Sequence, residues 1–394
     1  MPPELQGITE WAETISQRLP NLSWPEARGL ALWSYGAQAV GSCGQSQVAF
    51  FLAQVLAHKV ESVRQRLREW TWEAAAKAGR KRRSLDVAPC FGGLLAWVVA
   101  LTAPGERQLA LALDASSLGM HFVVLAVSVL YRGCAIPIAW QVLVAARPGA
   151  WQPVWLKLLR QLHGQVPADW CVLVLADRGL YAAWLFRAIQ QLGWHPFLRI
   201  NSGGQCRLHN RRQFRPLLAR VRRDGRQWTG QVVCFPSTPV AATLLTCRAR
   251  GCKTPWLLLT DLPPAQANSA WYALRAWIEA GFKDIKRGGW QWQQTRMTDP
   301  TRAARLWLVL AVTLLHALHY GSLVEQQTPA PSLADLPPTH IARRTATGQT
   351  RPRRLSLVRQ GRLAWLAAQL RHAPPVALGS LPPNPWPTAL KTYP

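Results

Sequence analysis

Residues 108–145 fall into short apolar runs separated by polar punctuation. QLALALDASSL, HFVVLAVSVLY and CAIPIAWQVLV are rich in aliphatic and β-branched side chains, and a turn at Arg132-Gly133 joins the last two. Their lengths and punctuation predict three strands in a meander. A Trp- and Leu-rich segment, Trp151–His163, then has helical spacing. CVLVLADRGLY reads as a fourth strand, Ala182–Leu192 as a helix and PFLRI as a short fifth strand. The predicted order is β-β-β-α-β-α-β.

That order matches a ribonuclease H-like α/β fold, a mixed sheet flanked by helices. In such sheets ligands sit beyond the carboxyl ends of the strands. The flanks differ in character. Residues 1–85 read as helices, with a break at GSCG (41–44) and a cap at Ser42 or Ser46 for the helix that follows. Arg64, Arg66 and Arg68, followed by the basic run 80–83, suit a helical DNA-binding module of helix-turn-helix type. A plain helical bundle with a solvated charged face fits the same pattern. Residues 201–262 form a basic, β-rich insertion with Arg207, Arg211, Arg212, Arg215, Arg220, Arg222, Arg223 and Arg226 in its first half. An apolar helix, Ala303–His319, is expected behind the sheet. After Gln327, prolines 329, 331, 337 and 338 mark a linker, eight arginines lie between Arg343 and Arg371, and LPPNPWPTALKTYP reads as disordered. The predicted organisation is a helical DNA-binding domain (1–85), a first part of the catalytic core (105–200), the insertion (201–262), a second core part (263–325) and a basic Pro-rich C-terminal region (326–394).

The stretch YALRAWIEAGFKDIK (272–286) has two stripes. Tyr272, Arg275, Glu279, Lys283 and Lys286 recur at steps of three, four, four and three, and Trp271, Leu274, Ile278, Gly281 and Ile285 form an apolar seam. This is the pattern of an amphipathic helix. Its polar face holds one carboxylate among cations and a tyrosine, which suits a site where a divalent metal meets a phosphate backbone. Charge then sharpens the picture. With 46 basic and 19 acidic residues among 394, the net charge is +27, so a polyanion, nucleic acid by default, is the expected partner. The eight cysteines show no CxxC pair or matching histidines, which speaks against zinc and for buried thiols in a reducing cytosol. The first residues lack a secretory pattern, and the longest apolar runs, near 306–315 and 122–131, are too short to span a bilayer. A cytoplasmic, nucleoid-associated bacterial protein with no membrane partner is expected. The 21 tryptophans suggest no function.

Three acids stand apart. Asp114 closes the run LALAL, Asp177 closes VLVLA, and Glu279 lies mid-helix. Each has an ordinary reading: a turn or cap for the aspartates, a helical ion pair with Arg275 or Lys283 for the glutamate. Together they would form a carboxylate cluster whose mutual repulsion a divalent ion relieves, Mg²⁺ being the natural choice. Two such ions can serve an in-line displacement at phosphorus. The nine histidines form no HxxxH or Ser/His/Asp pattern.

Y-x2-R-x3-E-x6-K, filled by Tyr272, Arg275, Glu279 and Lys286, resembles the signature helix of the insertion-sequence-4-type DDE transposases. LALDASSL and VLVLADRGLY resemble the first two catalytic blocks of that family, and GCAIPIAWQVL its third strand. The similarity runs from about Leu109 to Leu315. It implies Asp114, Asp177 and Glu279 as metal-binding catalytic acids, holding two Mg²⁺ ions with Mn²⁺ as a substitute. It implies Tyr272, Arg275 and Lys286 as contacts to the DNA backbone near the cleaved phosphate. Lys283 joins the DNA contacts by its position on the same face, and Arg178, from the DRG block, takes a supporting role. The implied activity is cut-and-paste transposition, in which double-stranded transposon ends are cleaved and joined to target DNA by a homodimer. Two rivals remain at this point: a ribonuclease H-like nuclease without strand transfer, and a transposase-derived DNA-binding protein that no longer catalyses.

Overall fold

In this computed structural model, the described residues are 3–79, 82–118, 121–145, 150–222, 226–248, 254–327, 355–373 and 378–389. Four helices come first: α1 (Pro3–Arg18), α2 (Trp24–Val40), α3 (Gln45–Leu56) and α4 (Val60–Trp70). Neither expected serine caps α3. Gly44 is its N-cap, and the Ser42 hydroxyl instead accepts from the Gly44 N–H at 3.1 Å. An apolar helix, α5 (Cys90–Leu101), leads into the sheet.

The meander forms as the pattern predicts, from β1 (Gln108–Leu118), β2 (Phe122–Tyr131) and β3 (Cys134–Val144), all antiparallel. Arg132 and Gly133 both take positive φ, 44° and 84°, as a tight hairpin turn demands. Then follow α6 (Gln152–Gln161), β4 (Cys171–Ala176), α7 (Ala183–Gln190) and β5 (His195–Arg199). β4 lies parallel to β1 on one side and parallel to β5 on the other. These five strands and their helices are the expected ribonuclease H-like sheet.

The insertion is not a separate layer. Its strands β6 (Gln205–Leu208), β7 (Arg215–Pro216), β8 (Trp228–Cys234), β9 (Val240–Cys247) and β10 (Trp256–Thr260) extend the same sheet. β10 pairs antiparallel with β5, giving one ten-stranded sheet in the order β3-β2-β1-β4-β5-β10-β9-β8-β6-β7. Edge backbone groups of β5 need partners, and the returning strand β10 supplies them.

Among the described residues, three further helices follow: α8 (Trp277–Ile285), α9 (Pro300–Gln327) and α10 (Leu357–Leu370). α9 extends beyond the predicted 303–319 at both ends. By length and composition it could cross a bilayer, which the shorter apolar run within it could not, but its most apolar window is 89% buried inside the protein. It is a core helix. α10 crosses it where glycines meet: a Cβ on Gly361 would lie 1.7 Å from the Ala317 carbonyl oxygen, and one on Gly321 would lie 2.1 Å from that of Leu357. Only glycine permits that approach.

One apolar cluster runs from Ile8 through the sheet to Trp386, so the shift near residue 85 marks a change of composition and not a break in the core. Tryptophans furnish much of that core: Trp33, Trp97, Trp140, Trp155, Trp256, Trp290, Trp292, Trp307 and Trp365 are fully buried. Arg305 on α9 is buried too, donating to the carbonyls of Leu85 and Thr71 at 2.7 Å each and to Glu73 at 2.6 Å.

The expectation of disorder fails for the described part of the LPPNPWPTALKTYP stretch, residues 381–389. Leu381, Asn384 and Trp386 are buried. Tyr131 donates to the Pro382 carbonyl, and Arg132 donates to that of Pro383 and to Asn384 Oδ1. Proline-rich chain lacks N–H donors but keeps its carbonyls, and here those carbonyls meet side-chain donors of the hairpin. The linker prolines 329–338, Arg343, Arg344, Arg351, Arg353 and Arg354 lie outside the described residues, as do Arg80, Lys81, Arg223 and Cys252.

Candidate active site

β1 and β4 place the two aspartates. Their parallel register ends at Leu113 opposite Ala176, so Asp114 and Asp177 are the next residue on each strand. They differ in one respect from the sequence expectation. Asp177 does end its strand and caps a short 3₁₀ turn, with Oδ1 accepting from the Arg178 N–H at 2.7 Å. Asp114 does not end β1, which runs four residues further, paired only with β2. β1 outruns β4, and the acid sits at the point where its neighbour stops.

The expected single helix over 272–286 is two pieces. Ser269–Ala276 is 3₁₀, begun by the Asn268 side chain accepting from the Ala270 N–H at 2.9 Å, and α8 follows without a gap. At about three residues per turn, positions three apart eclipse. Tyr272 and Arg275 therefore stack on one line towards the strand ends, and the four-residue step to Glu279 spans the join. Gly281 lets α8 press against β3, where a Cβ would lie 2.7 Å from that of Ala135. Trp277 and Ile278 are buried.

Arg275 is the hub. One terminal nitrogen contacts Asp114 Oδ2 at 2.8 Å and Asp177 Oδ2 at 3.9 Å, and the other contacts Glu279 Oε1 at 3.2 Å. The two aspartate oxygens share one nitrogen, so the sum of those lengths bounds their separation. Three acids remote in sequence thus surround one guanidinium. The Tyr272 hydroxyl donates to Asp177 Oδ1 at 3.3 Å. Lys286, at the end of α8, donates to Ser116 Oγ and to the Ser117 carbonyl, both at 2.7 Å. Lys283 is exposed; with Ser117, Leu118, Lys286, Arg287 and Gln293 it lines a cavity of about 350 Å³ at the end of β1. Arg178 is exposed and reaches Asp177 through its backbone and its charge.

The electrostatics separate the two aspartates. Burial pushes the Asp114 carboxyl up from its ordinary value, and the Arg275 guanidinium and the Ala115 N–H only partly oppose this. Asp177 is also partly buried, but the Arg178 N–H and the charges of Arg275, Arg199 and Arg178 outweigh burial and hold it below the usual carboxylate range. Burial pushes the Tyr272 hydroxyl up and the Lys286 ammonium down. For Arg275, burial opposes the charge, but Asp114 and its neighbours more than compensate and raise the value.

Sequence reasoning missed Arg199, whose Nη1 lies 4.0 Å from Asp177 Oδ1. The parallel register of β4 and β5 could have found it, because Ala176 pairs with Leu198 and the next residues are Asp177 and Arg199. It also missed Asp284, buried off the polar stripe of α8 and bonded by the Ser356 hydroxyl at 3.2 Å.

Carboxylate oxygens are hard donors that suit Mg²⁺, Mn²⁺ or Ca²⁺. Asp114, Asp177 and Glu279 already converge on one cation, the guanidinium, so the donor set fits such an ion. Among the described residues no three acidic, His or Cys side chains stand close enough to hold a metal as they are. Entry of an ion here requires Arg275 to yield its place.

Residues 122–315 match the family model of the transposase DDE domain. The match takes in Asp177, Glu279 and the Tyr272–Lys286 stretch and begins after Asp114. No curated protein matches the chain. A cryo-EM structure of the piggyBac transposase synaptic complex with hairpin DNA resembles it at 11% identity and a TM-score of 0.43, over 96% of this chain and 83% of that one; so loose a likeness decides nothing further. The chain carries a transposase DDE domain and is a DNA transposase, an enzyme of metal-dependent DNA cleavage and strand transfer.

Proposed function

We propose that Asp114, Asp177 and Glu279 are the acids of this transposase, and that the chain is of the insertion-sequence-4 type. The convergence of all three on Arg275 carries this reading. They would hold a pair of Mg²⁺ ions, replaceable by Mn²⁺, which when bound supply the positive charge that an in-line displacement at phosphorus requires.

The chain's own residues then divide the remaining tasks. Asp177, held ionised, is a ready oxygen donor. Burial raises the Asp114 carboxyl from its ordinary value, and a bound cation would favour its charged form. Tyr272 orients Asp177 through its hydroxyl. Arg275, displaced from the acids, has a planar fork suited to a phosphodiester. Lys286 and Lys283 add point charges along the same backbone, and Arg178 supports Asp177. Positioning and charge stabilisation provide most of the rate in such transfers.

The substrate is double-stranded DNA, at the transposon ends and at the target. Residues 1–85 and the basic insertion are proposed as DNA-holding regions, the core parts 105–200 and 263–325 as the catalytic unit, and 326–394 as an accessory region. Joining two ends calls for two subunits, so a homodimer in a synaptic complex is proposed, with a cytoplasmic, nucleoid-associated setting. The test is Glu279→Gln on a supercoiled plasmid carrying the gene with its native flanking DNA. The variant should bind that DNA and leave it uncut in Mg²⁺, while the unaltered protein gives cut and joined products. Unimpaired cutting by the variant would remove Glu279 from the site, and cut products that are never joined would favour a nuclease.

A further inference from the structure

The C-terminal residues 378–389 lie as a strap across the protein, and the strap ends at the segment that presents Tyr272 and Arg275. It starts at α5, where the Leu381 N–H donates to the Leu101 carbonyl at 2.6 Å. Asn384 fastens its middle: the backbone N–H donates to Glu106 Oε1 at 3.0 Å, and Nδ2 donates to the Leu130 carbonyl at 3.0 Å. Beyond it, Trp386 is buried, with its ring edge-on to Trp271 at 5.3 Å. Trp271 in turn lies against Phe197 of β5 at 6.2 Å. The last contact is from Asn268 Nδ2 to the Thr388 carbonyl at 2.9 Å.

Asn268 works in both directions. Its Oδ1 starts the 3₁₀ segment by accepting from the Ala270 N–H, and its Nδ2 holds the strap. Trp271 is the next-door neighbour of Tyr272 in that segment. A 3₁₀ helix of eight residues has poor hydrogen-bond geometry and little stability of its own, so it needs outside packing to keep one conformation. The strap supplies packing at its first turn, through Trp271.

We infer that Trp386 is a positioning residue for strand cleavage, acting through Trp271 and Asn268 to fix the 269–276 segment from which Tyr272 reaches Asp177 and Arg275 swings to the phosphate. This rests on the roles proposed above for Tyr272 and Arg275. Misplacing a catalytic constellation by about 1 Å can lower a rate on the order of 100-fold even from a distant mutation.

The test measures single-turnover cleavage of the same plasmid, DNA affinity and thermal unfolding for Trp386→Ala and Trp386→Phe, each alone and combined with Tyr272→Phe. Trp386→Ala should cut about 10- to 100-fold more slowly with unchanged DNA affinity, and Trp386→Phe should recover most of the rate. In the double variant the two losses should not multiply, because both act on one segment. Should Trp386→Ala not fold, Asn268→Asp replaces it; that change keeps the acceptor for Ala270 and removes the donor to Thr388. A normal rate in the folded variant, or losses that multiply fully, overturns the inference. If Tyr272→Phe and Arg275→Ala themselves leave cleavage intact, the proposed roles of those residues fail instead.

Discussion

Arg275 shows what one side chain contributes at this site. Its charge lies between three acids that would otherwise repel one another. Arg275→Ala removes the strongest influence opposing the upward push of burial on Asp114, so the Asp114 carboxyl should rise further. A carboxylate that must be ionised then becomes competent only at higher pH. The acid limb of kcat/KM for cleavage, which reports the free enzyme before an ion displaces Arg275, should therefore move to higher pH in Arg275→Ala, with a lower rate at the plateau; an unmoved limb would show that Asp114 does not titrate in the free enzyme. Asp284 behaves differently, since nothing in the proposed chemistry uses it. Burial pushes it to about 6 from an ordinary 3.8, against the Ser356 hydrogen bond and the charges of Lys283 and Arg359. Because the folded value is the higher one, this group favours the folded state only while protonated. Its contribution is fully present below the ordinary value and is lost as pH rises through about 6. The penalty at neutral pH is about 3 kcal/mol at 1.36 kcal/mol per unit. Asp284→Asn should thus raise the unfolding temperature near pH 8 and change it little near pH 4. Equal effects at both values would show that the side chain is not buried as an acid.

At the scale of elements, α9 acts as the spine. Arg305 ties it to the segment between α4 and α5 by three hydrogen bonds, two of them to the carbonyls of buried residues. Arg305→Met keeps the volume and leaves the Thr71 and Leu85 carbonyls without these donors. The cost should be about 2–6 kcal/mol, at 1–3 for each of the two stranded carbonyls, with faster tryptic cleavage after Lys77, Arg82 or Arg83, as read from denaturant melts and proteolysis time courses. Unchanged melts would mean that water satisfies those carbonyls. Elements of this kind differ in how far the sequence reveals them. The first five strands were legible because each has a short apolar run closed by a turn or an acid, a local signal. The 3₁₀ character of 269–276 was not, because Tyr272, Arg275 and Glu279 obey α-helical spacing as well as the mixed geometry. The strap was not legible either. Its order comes from contacts such as Arg132 with Asn384, 252 residues apart, and composition alone registers only its prolines. The two aspartates were legible by the apolar runs before them, while Arg199 needed the strand register.

The whole molecule carries a net charge of +27, and the extended sheet determines where part of it lies. Because β10, β9, β8, β6 and β7 continue the core sheet, its far edge strand β7 lies six strands from β4, which Asp177 follows. Arg211, Arg212 and Arg215 are exposed there around β7, the edge strand. An edge strand lined with cations resists pairing with another sheet, and the same row of charges can follow a phosphate backbone. These two uses are separable by salt. A protein that neutralises phosphates releases counterions, so affinity falls with salt by a slope set by the number of contacts. Replacing Arg211, Arg212 and Arg215 together by alanine should flatten the slope of log affinity against log salt by about 2 to 3. It should weaken binding to the plasmid ends and to unrelated duplex alike, because phosphate contacts carry no sequence information. The measurement is a filter-binding or anisotropy titration across salt with both DNAs. An unchanged slope would assign the arginines to protecting the edge alone, and a loss confined to the native ends would mean that this edge reads bases as well as phosphates.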